Sequence, residues 1–146
     1  MNNDLIDEQT GFTMPSAKEF DIKKLFSLDE RTTLITGAAQ GIGRVAAIAC
    51  GKAGSKIAIT DKDINSAKLL EKELNEANIK AKAWELDVNY EKDIIKVFND
   101  VEKEFGTTDV LINNAGTAHR NPAELMKTEE FNKIINLNLT SAFICC

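Results

Sequence analysis

Short apolar runs alternate with longer amphipathic stretches from Arg31 to the last residue, and this alternation limits the fold more than any other feature. Residues 33–36 read as a short buried strand. Residues 41–53 follow as a helix, closed by Gly54. Lys56–Asp61 is a second strand, and residues 64–78 form a helix with Ala67, Leu70 and Leu74 at helical spacing. Residues 81–87, around Trp84 and Leu86, are a third strand. Residues 90–105 form a helix with Ile94, Ile95, Phe98 and Val101 on one face, ended by Gly106. Residues 110–114 are a fourth strand. From Thr128 onward the pattern is the start of another helix, with Thr128 as N-cap and Glu129 and Glu130 in its first turn. Strands and helices alternating at this spacing build βαβ units and a parallel sheet covered on both faces.

The first 30 residues lack this pattern. They form a polar leader, expected to be flexible, with Pro15 and several acidic side chains. Leu25-Phe26-Ser27-Leu28 are expected to dock on the domain, and Met14 is an alternative start. The expected organisation is therefore a leader over residues 1–30 and one domain over residues 31–146.

Bulk properties remove some classes of function. The net charge is -5 and no basic stripe appears, which argues against nucleic acid or an anionic membrane as partner. The interspersed Lys and Glu of residues 68–82 and 91–104 read as solvated helix faces. Cys50, Cys145 and Cys146 have no metal or redox spacing, and His119 has no ligand partner nearby, so no metal site is expected. No signal segment or long apolar run is seen, and a reducing, cytoplasmic setting is expected.

The stretch "TGAAQGIG", Thr36 to Gly43, sits between the first strand and the first helix. A glycine turn there lets backbone approach a pyrophosphate and aims a helix N-terminus at its charge. Gly37 suits the tight turn, Gly41 the close approach, and Gly43 the packing of helix on strand. The spacing is Gly-x-x-x-Gly-x-Gly, not the commoner Gly-x-Gly-x-x-Gly. A glycine-rich turn with no ligand remains the plain alternative. Asp61, ending the second strand 18 residues after Gly43, counts against it. An acidic side chain there accepts hydrogen bonds from the adenosine ribose hydroxyls. It also repels a 2′-phosphate, and Gln40 adds no positive charge, although Arg44 and Lys62 are close in sequence. The expected cofactor is NAD rather than NADP.

Several motifs in order resemble the short-chain dehydrogenase/reductase family from about Leu28 to Cys146. "TGAAQGIG", with Gly37, Gln40, Gly41, Ile42 and Gly43, is similar to its cofactor loop. Asp61 stands where the family usually selects NAD. Asp87-Val88 resembles the pair that contacts adenine. "NNAG", Asn113 to Gly116, is similar to the motif that ends the fourth strand, which places Asn113, Ala115 and Gly116 along the cofactor. "NLNLTSAF" resembles the following helix, with Asn138 in the place of the catalytic asparagine. The resemblance implies an incomplete Rossmann-type, doubly wound α/β fold of four strands in the order 3-2-1-4, plus the start of the next helix.

It also implies hydride transfer between nicotinamide C4 and a carbon bearing a hydroxyl or carbonyl. In the family a tyrosine moves the proton and a lysine four residues later lowers its pKa. A serine orients the small alcohol or carbonyl substrate, and the asparagine anchors a water. Residues 119–143 further resemble members acting on sugar acids and polyols. The only tyrosine, Tyr90, opens a helix and is followed four residues later by Ile94, so it is not that tyrosine. The serine and Tyr-x-x-x-Lys belong after a fifth strand, and the sequence reaches Cys146 before one. Two expectations follow: that this chain by itself is inactive, and that a bare fourth strand makes it prone to associate. The longer parent is expected to be a homo-oligomer, a dimer or tetramer. The alternatives are a non-catalytic dinucleotide-binding fragment and an interaction protein that lost the cofactor. The intact glycine loop argues against the second of these.

Overall fold

The computed structural model describes residues 6–7, 12–13, 21–118 and 122–146. His119 and most of the leader lie outside these. Within the leader, two short strands that the sequence did not signal, β1 (Ile6–Asp7) and β2 (Phe12–Thr13), pair antiparallel. Helix α1 (Ile22–Leu25) is one turn, capped by Asp21, whose carboxylate accepts the N–H groups of Lys23 and Lys24. The expected docking comes through Leu28, half-buried, whose N–H donates to the Ala53 carbonyl at 2.8 Å. Leu25 and Phe26 stay exposed.

The remainder is a parallel sheet with helices on both faces. Strand β3 (Thr32–Thr36) leads to α2 (Gly41–Lys52), β4 (Lys56–Asp61), α3 (Ile64–Glu76), β5 (Ala81–Glu85), α4 (Glu91–Phe105) and β6 (Val110–Ile112). A 3₁₀ turn (Ala123–Leu125) precedes α5 (Thr128–Ile135), a π turn (Asn136–Thr140) and α6 (Ser141–Cys145). The strand order is β5-β4-β3-β6, with β3 paired in parallel to both β4 and β6. This is the expected 3-2-1-4 order.

Alternation along the central strands feeds two cores, because successive strand side chains point to opposite faces. Ile35, Ile57 and Ile59 pack with Ala47, Leu70 and Leu74 of α2 and α3. Leu34 and Ala58 pack on the other face with Ile94, Val97, Val101 and Phe105 of α4 and Cys145 of α6. On α4 the buried stripe is therefore 94, 97, 101 and 105; Ile95, expected inside, is 54% exposed. A register of i, i+3, i+7 and i+11 from Ile94 leaves its sequence neighbour on the flank. The end of α4 is fastened to the sheet. Its last carbonyl, Phe105 O, accepts from Thr32 Oγ1 and from Lys56 Nζ, both at 3.2 Å, and the ammonium suits the negative helix end.

Several expected boundaries shift. The third strand leaves the ladder after Glu85, although the Leu86 N–H still donates to the Asp61 carbonyl. The fourth strand stops at Ile112, because Asn114 gives its N–H to the Thr36 side chain instead of to a strand. Thr128 is the first residue of α5 rather than its cap. Lys127 holds the cap position, and its N–H donates to Glu130 Oε2 at 3.4 Å.

Candidate functional site

The chain reverses direction across the sheet at β3. The crossovers lead outward to β4 and β5, then back to β6 on the other side. A crevice opens at the carboxyl ends of the strands at such a switch point. Here it is a cleft of about 270 Å³, lined by Gly37 and Gln40 after β3, Asp61 and Lys62 after β4, Leu86, Asp87, Val88 and Asn89 after β5, Asn114, Ala115 and Gly116 after β6, and Leu137.

The glycine loop is fastened from below. Asn114 Nδ2 donates to the carbonyls of Thr36 and Gly37 at 3.0 and 2.8 Å. Thr36 Oγ1 in turn accepts the N–H groups of Asn114 and Ala115 at 3.0 and 3.1 Å. These bonds need bare backbone: a Cβ on Gly43 would run into the Gly37 carbonyl and the Asn114 amide. Gly41 is the opposite case. Its φ of 57° favours glycine, and a Cβ there would meet nothing within 4 Å. The space in front of it is open. Gln40, at the N-cap of α2, makes no side-chain cap bond, so the first-turn N–H groups face the opening without one. A 12-residue helix whose N-terminus has no side-chain cap is suited, by its free N–H groups and positive end, to seat an anion.

Acidic groups flank this seat. Asp61 accepts the Ala39 N–H at Oδ2 and the Asp63 N–H at Oδ1, both at 3.0 Å. Asp87 Oδ1 accepts both the N–H and the side-chain amide of Asn89. Val88, 5% exposed, adds an apolar surface to the lining. Of the two cations near the loop, Arg44 pairs with Glu73 at 2.5 Å, whereas Lys62 lines the cleft beside Asp61.

Of the expected cofactor residues, the cleft therefore gathers Gly37, Gln40, Asp61, Asp87, Val88, Ala115 and Gly116. Gly41 and Gly43 shape the loop behind it. Ile42 and Asn113 are not among the lining residues: Ile42 is 82% exposed, and the Asn113 amide donates to Cys146 Sγ at 3.6 Å. At both places the neighbour, Gly43 or Asn114, holds the inward position. Sequence reasoning missed Leu137 and Asn89. Leu137 comes from the distant π turn, whereas Asn89 directly follows the expected Asp87-Val88 pair.

Asn138 stands outside the cleft wall, in the π turn. Its Nδ2 donates to the Thr117 carbonyl at 2.8 Å and its Oδ1 accepts the Thr117 N–H at 2.9 Å. This two-way bond ties the loop after β6 to the helix, so the side chain positions backbone. The sequence did not signal the π turn. There Ser141 Oγ donates to the Leu137 carbonyl at 2.5 Å. Burial raises the thiols of Cys50 and Cys145, the latter to about 11, which disfavours the thiolate at these two positions near neutral pH. Tyr90 is exposed at the head of α4, outside the cleft lining.

Such a cleft is suited to hold a pyrophosphate between two flanking groups, one with hydroxyls and one flat. Residues 31–146 match the family model described as short chain dehydrogenase. A 5-keto-D-gluconate 5-reductase of Escherichia coli is 38% identical over 120 residues, which cover 82% of this chain and 47% of the relative. A D-threitol dehydrogenase of Mycolicibacterium smegmatis is 32% identical over 133 residues, 91% of this chain and 51% of the relative. Among solved structures, a gluconate 5-dehydrogenase of Burkholderia cenocepacia in complex with NADP and tartrate superposes with a TM-score of 0.80 at 28% identity. That match covers 86% of this chain and 49% of the other. The chain spans about half the length of the relatives it matches. No helix among the described residues is long and apolar enough to cross a membrane. By fold, motif order and these matches, the chain belongs to the short chain dehydrogenase family of oxidoreductases.

Proposed function

We propose that this chain is the cofactor-binding part of an NAD(P)-dependent oxidoreductase that moves a hydride between nicotinamide and an alcohol or carbonyl substrate. One observation carries the reading: the open backbone at Gly41 and the uncapped start of α2 lie at the same strand ends as the Asp61 and Asp87 carboxylates. The nicotinamide, when bound, supplies the hydride chemistry. The residues present do the rest of the binding. The loop amides take the pyrophosphate, Asp61 takes ribose hydroxyls, and Asp87 with Val88 takes the adenine. Ala115 and Gly116 leave room along the far half.

The preference for NAD expected from Asp61 is not supported. The gluconate 5-dehydrogenase neighbour holds NADP, and Lys62 stands in the cleft to meet a 2′-phosphate. The assignment is NAD(P) without preference. The named relatives act on sugar acids and polyols, which favours that substrate class here.

Of the family's catalytic positions this sequence holds the asparagine's, Asn138, and that side chain is spent on Thr117. The 146-residue chain is therefore proposed to bind without turnover. Phe131, Ile135, Leu139 and Phe143 form an exposed apolar stripe at i, i+4 spacing, which supports a homo-oligomer. Sedimentation of the chain checks this, and a monomer at micromolar concentration would count against it. Three free thiols fit a reducing, cytoplasmic setting.

The deciding experiment titrates the chain with NADH and with NADPH and follows the reduced nicotinamide's fluorescence. Saturable enhancement with either supports the reading. Enhancement with neither overturns it.

A further inference from the structure

The cradle has a fastening that cofactor contact alone does not require. Asp61 turns its carboxylate back on the protein: Oδ2 accepts the N–H of Ala39, in the middle of the glycine loop, and Oδ1 accepts the N–H of Asp63, just before α3, each at 3.0 Å. The Ala38 N–H next to it donates to the Thr60 carbonyl at 3.0 Å. Ala39 is 8% exposed, so little water can replace a lost acceptor. A buried donor left unpaired costs its full desolvation.

We propose that Asp61 is a positioning residue for the glycine loop, clasping it to the β4–α3 turn before any dinucleotide arrives. The proposal deepens the cofactor reading above and rests on it for its function. Asn114 holds the start of the loop and Asp61 its middle. Gly41, which opens α2 just past these fastenings, is the one of the loop's three glycines where an added Cβ would meet nothing within 4 Å. The clasp also tempers the charge of the carboxylate. Each oxygen already faces an amide dipole, so Asp61 repels a 2′-phosphate less than a bare carboxylate does.

A role confined to the ribose leaves the cofactor-free chain indifferent to this side chain, and a clasp does not. The test is backbone amide exchange in the full 146-residue chain without cofactor. Asp61→Ala removes both acceptors, and Asp61→Asn keeps the shape with one acceptor oxygen. In Asp61→Ala the Ala39 and Asp63 amides are expected to exchange about threefold to tenfold faster, relative to the Ile59 amide as an internal reference. In Asp61→Asn at least one of the two follows. Asp87→Asn lines the same cleft and should leave both amides unchanged. Unchanged Ala39 and Asp63 exchange in both Asp61 variants overturns the clasp, even where the wild type binds NADH or NADPH. A wild type that binds neither, with accelerated exchange in the variants, sinks the cofactor reading and supports the clasp.

Discussion

Strands β5 and β6 are the two edges of one sheet, and among the described residues only β5 is finished by side chains. Asn75, on α3, donates to the Ala81 carbonyl at 2.9 Å and accepts the Ala81 N–H at 3.2 Å. Glu71, one turn earlier, accepts the Ala83 N–H at 2.9 Å. The outer backbone of β5 is thus plugged where another strand would otherwise add. Strand β6 pairs with β3 on one side, is half-buried throughout, and has no such plug among the described residues. The difference follows from chain economy. The crossover α3 leads straight into β5 and returns over it, so its last turns reach the outer backbone. The helix before β6, α4, packs on a face of the sheet instead. This chain spans about half the length of the relatives it matches.

Substitutions that compare the two halves break or sharpen this contrast. Ile57, fully buried in β4, should cost about 2–5 kcal/mol when cut to alanine, as core truncations do. Leu111→Ala in half-buried β6 should cost clearly less in the same urea titration. Equal losses would mean that β6 is as well supported as the centre. Next in size is Asn75→Ala, which strips both partners from Ala81 and should cost about 1–3 kcal/mol. Faster exchange of the Ala81 amide should accompany it. Wild-type stability and exchange in this variant would show that the β5 edge does not depend on the plug.

The smallest effect is one of pH, on the β6 side. Cys145 packs against the α4 face, and burial, then the neighbouring Cys146, raises its thiol from 9.0 to about 11. The folded state therefore prefers the protonated thiol. Its contribution is complete below pH 9.0 and is lost as pH rises through about 11. Thermal melts across that window should show a downward slope that Cys145→Ala flattens. An identical slope in the variant would assign the loss to other groups.

Much of the site was legible because its signals are local. A glycine loop between an apolar run and a helix, an acid at the next strand end, and an Asp-Val and an Asn-Asn-Ala-Gly at the following two each announce themselves within a few residues. Their convergence also follows from the alternation, since every parallel strand delivers its carboxyl end to the same side of the sheet. What was not legible turns on which of two neighbours points inward. Asn114 faces the loop while Asn113 faces Cys146, and Gly43 packs inward while Ile42 faces solvent. Ile95 loses to Val97 on α4 for the same reason, a rotation of the helix set by packing.

The amino-acid sequence by itself determined the order of strands and helices, the parallel sheet and the place of the cradle, because periodicity and glycine conformation act over a few residues. The tertiary structure alone decided that Asp61 clasps Ala39, that Asn75 closes one edge, and that Asn138 spends its amide on Thr117. The Asp61 and Asn138 bonds join groups about 20 residues apart, and a hydrogen bond acts only when folding has brought donor and acceptor within about 3 Å.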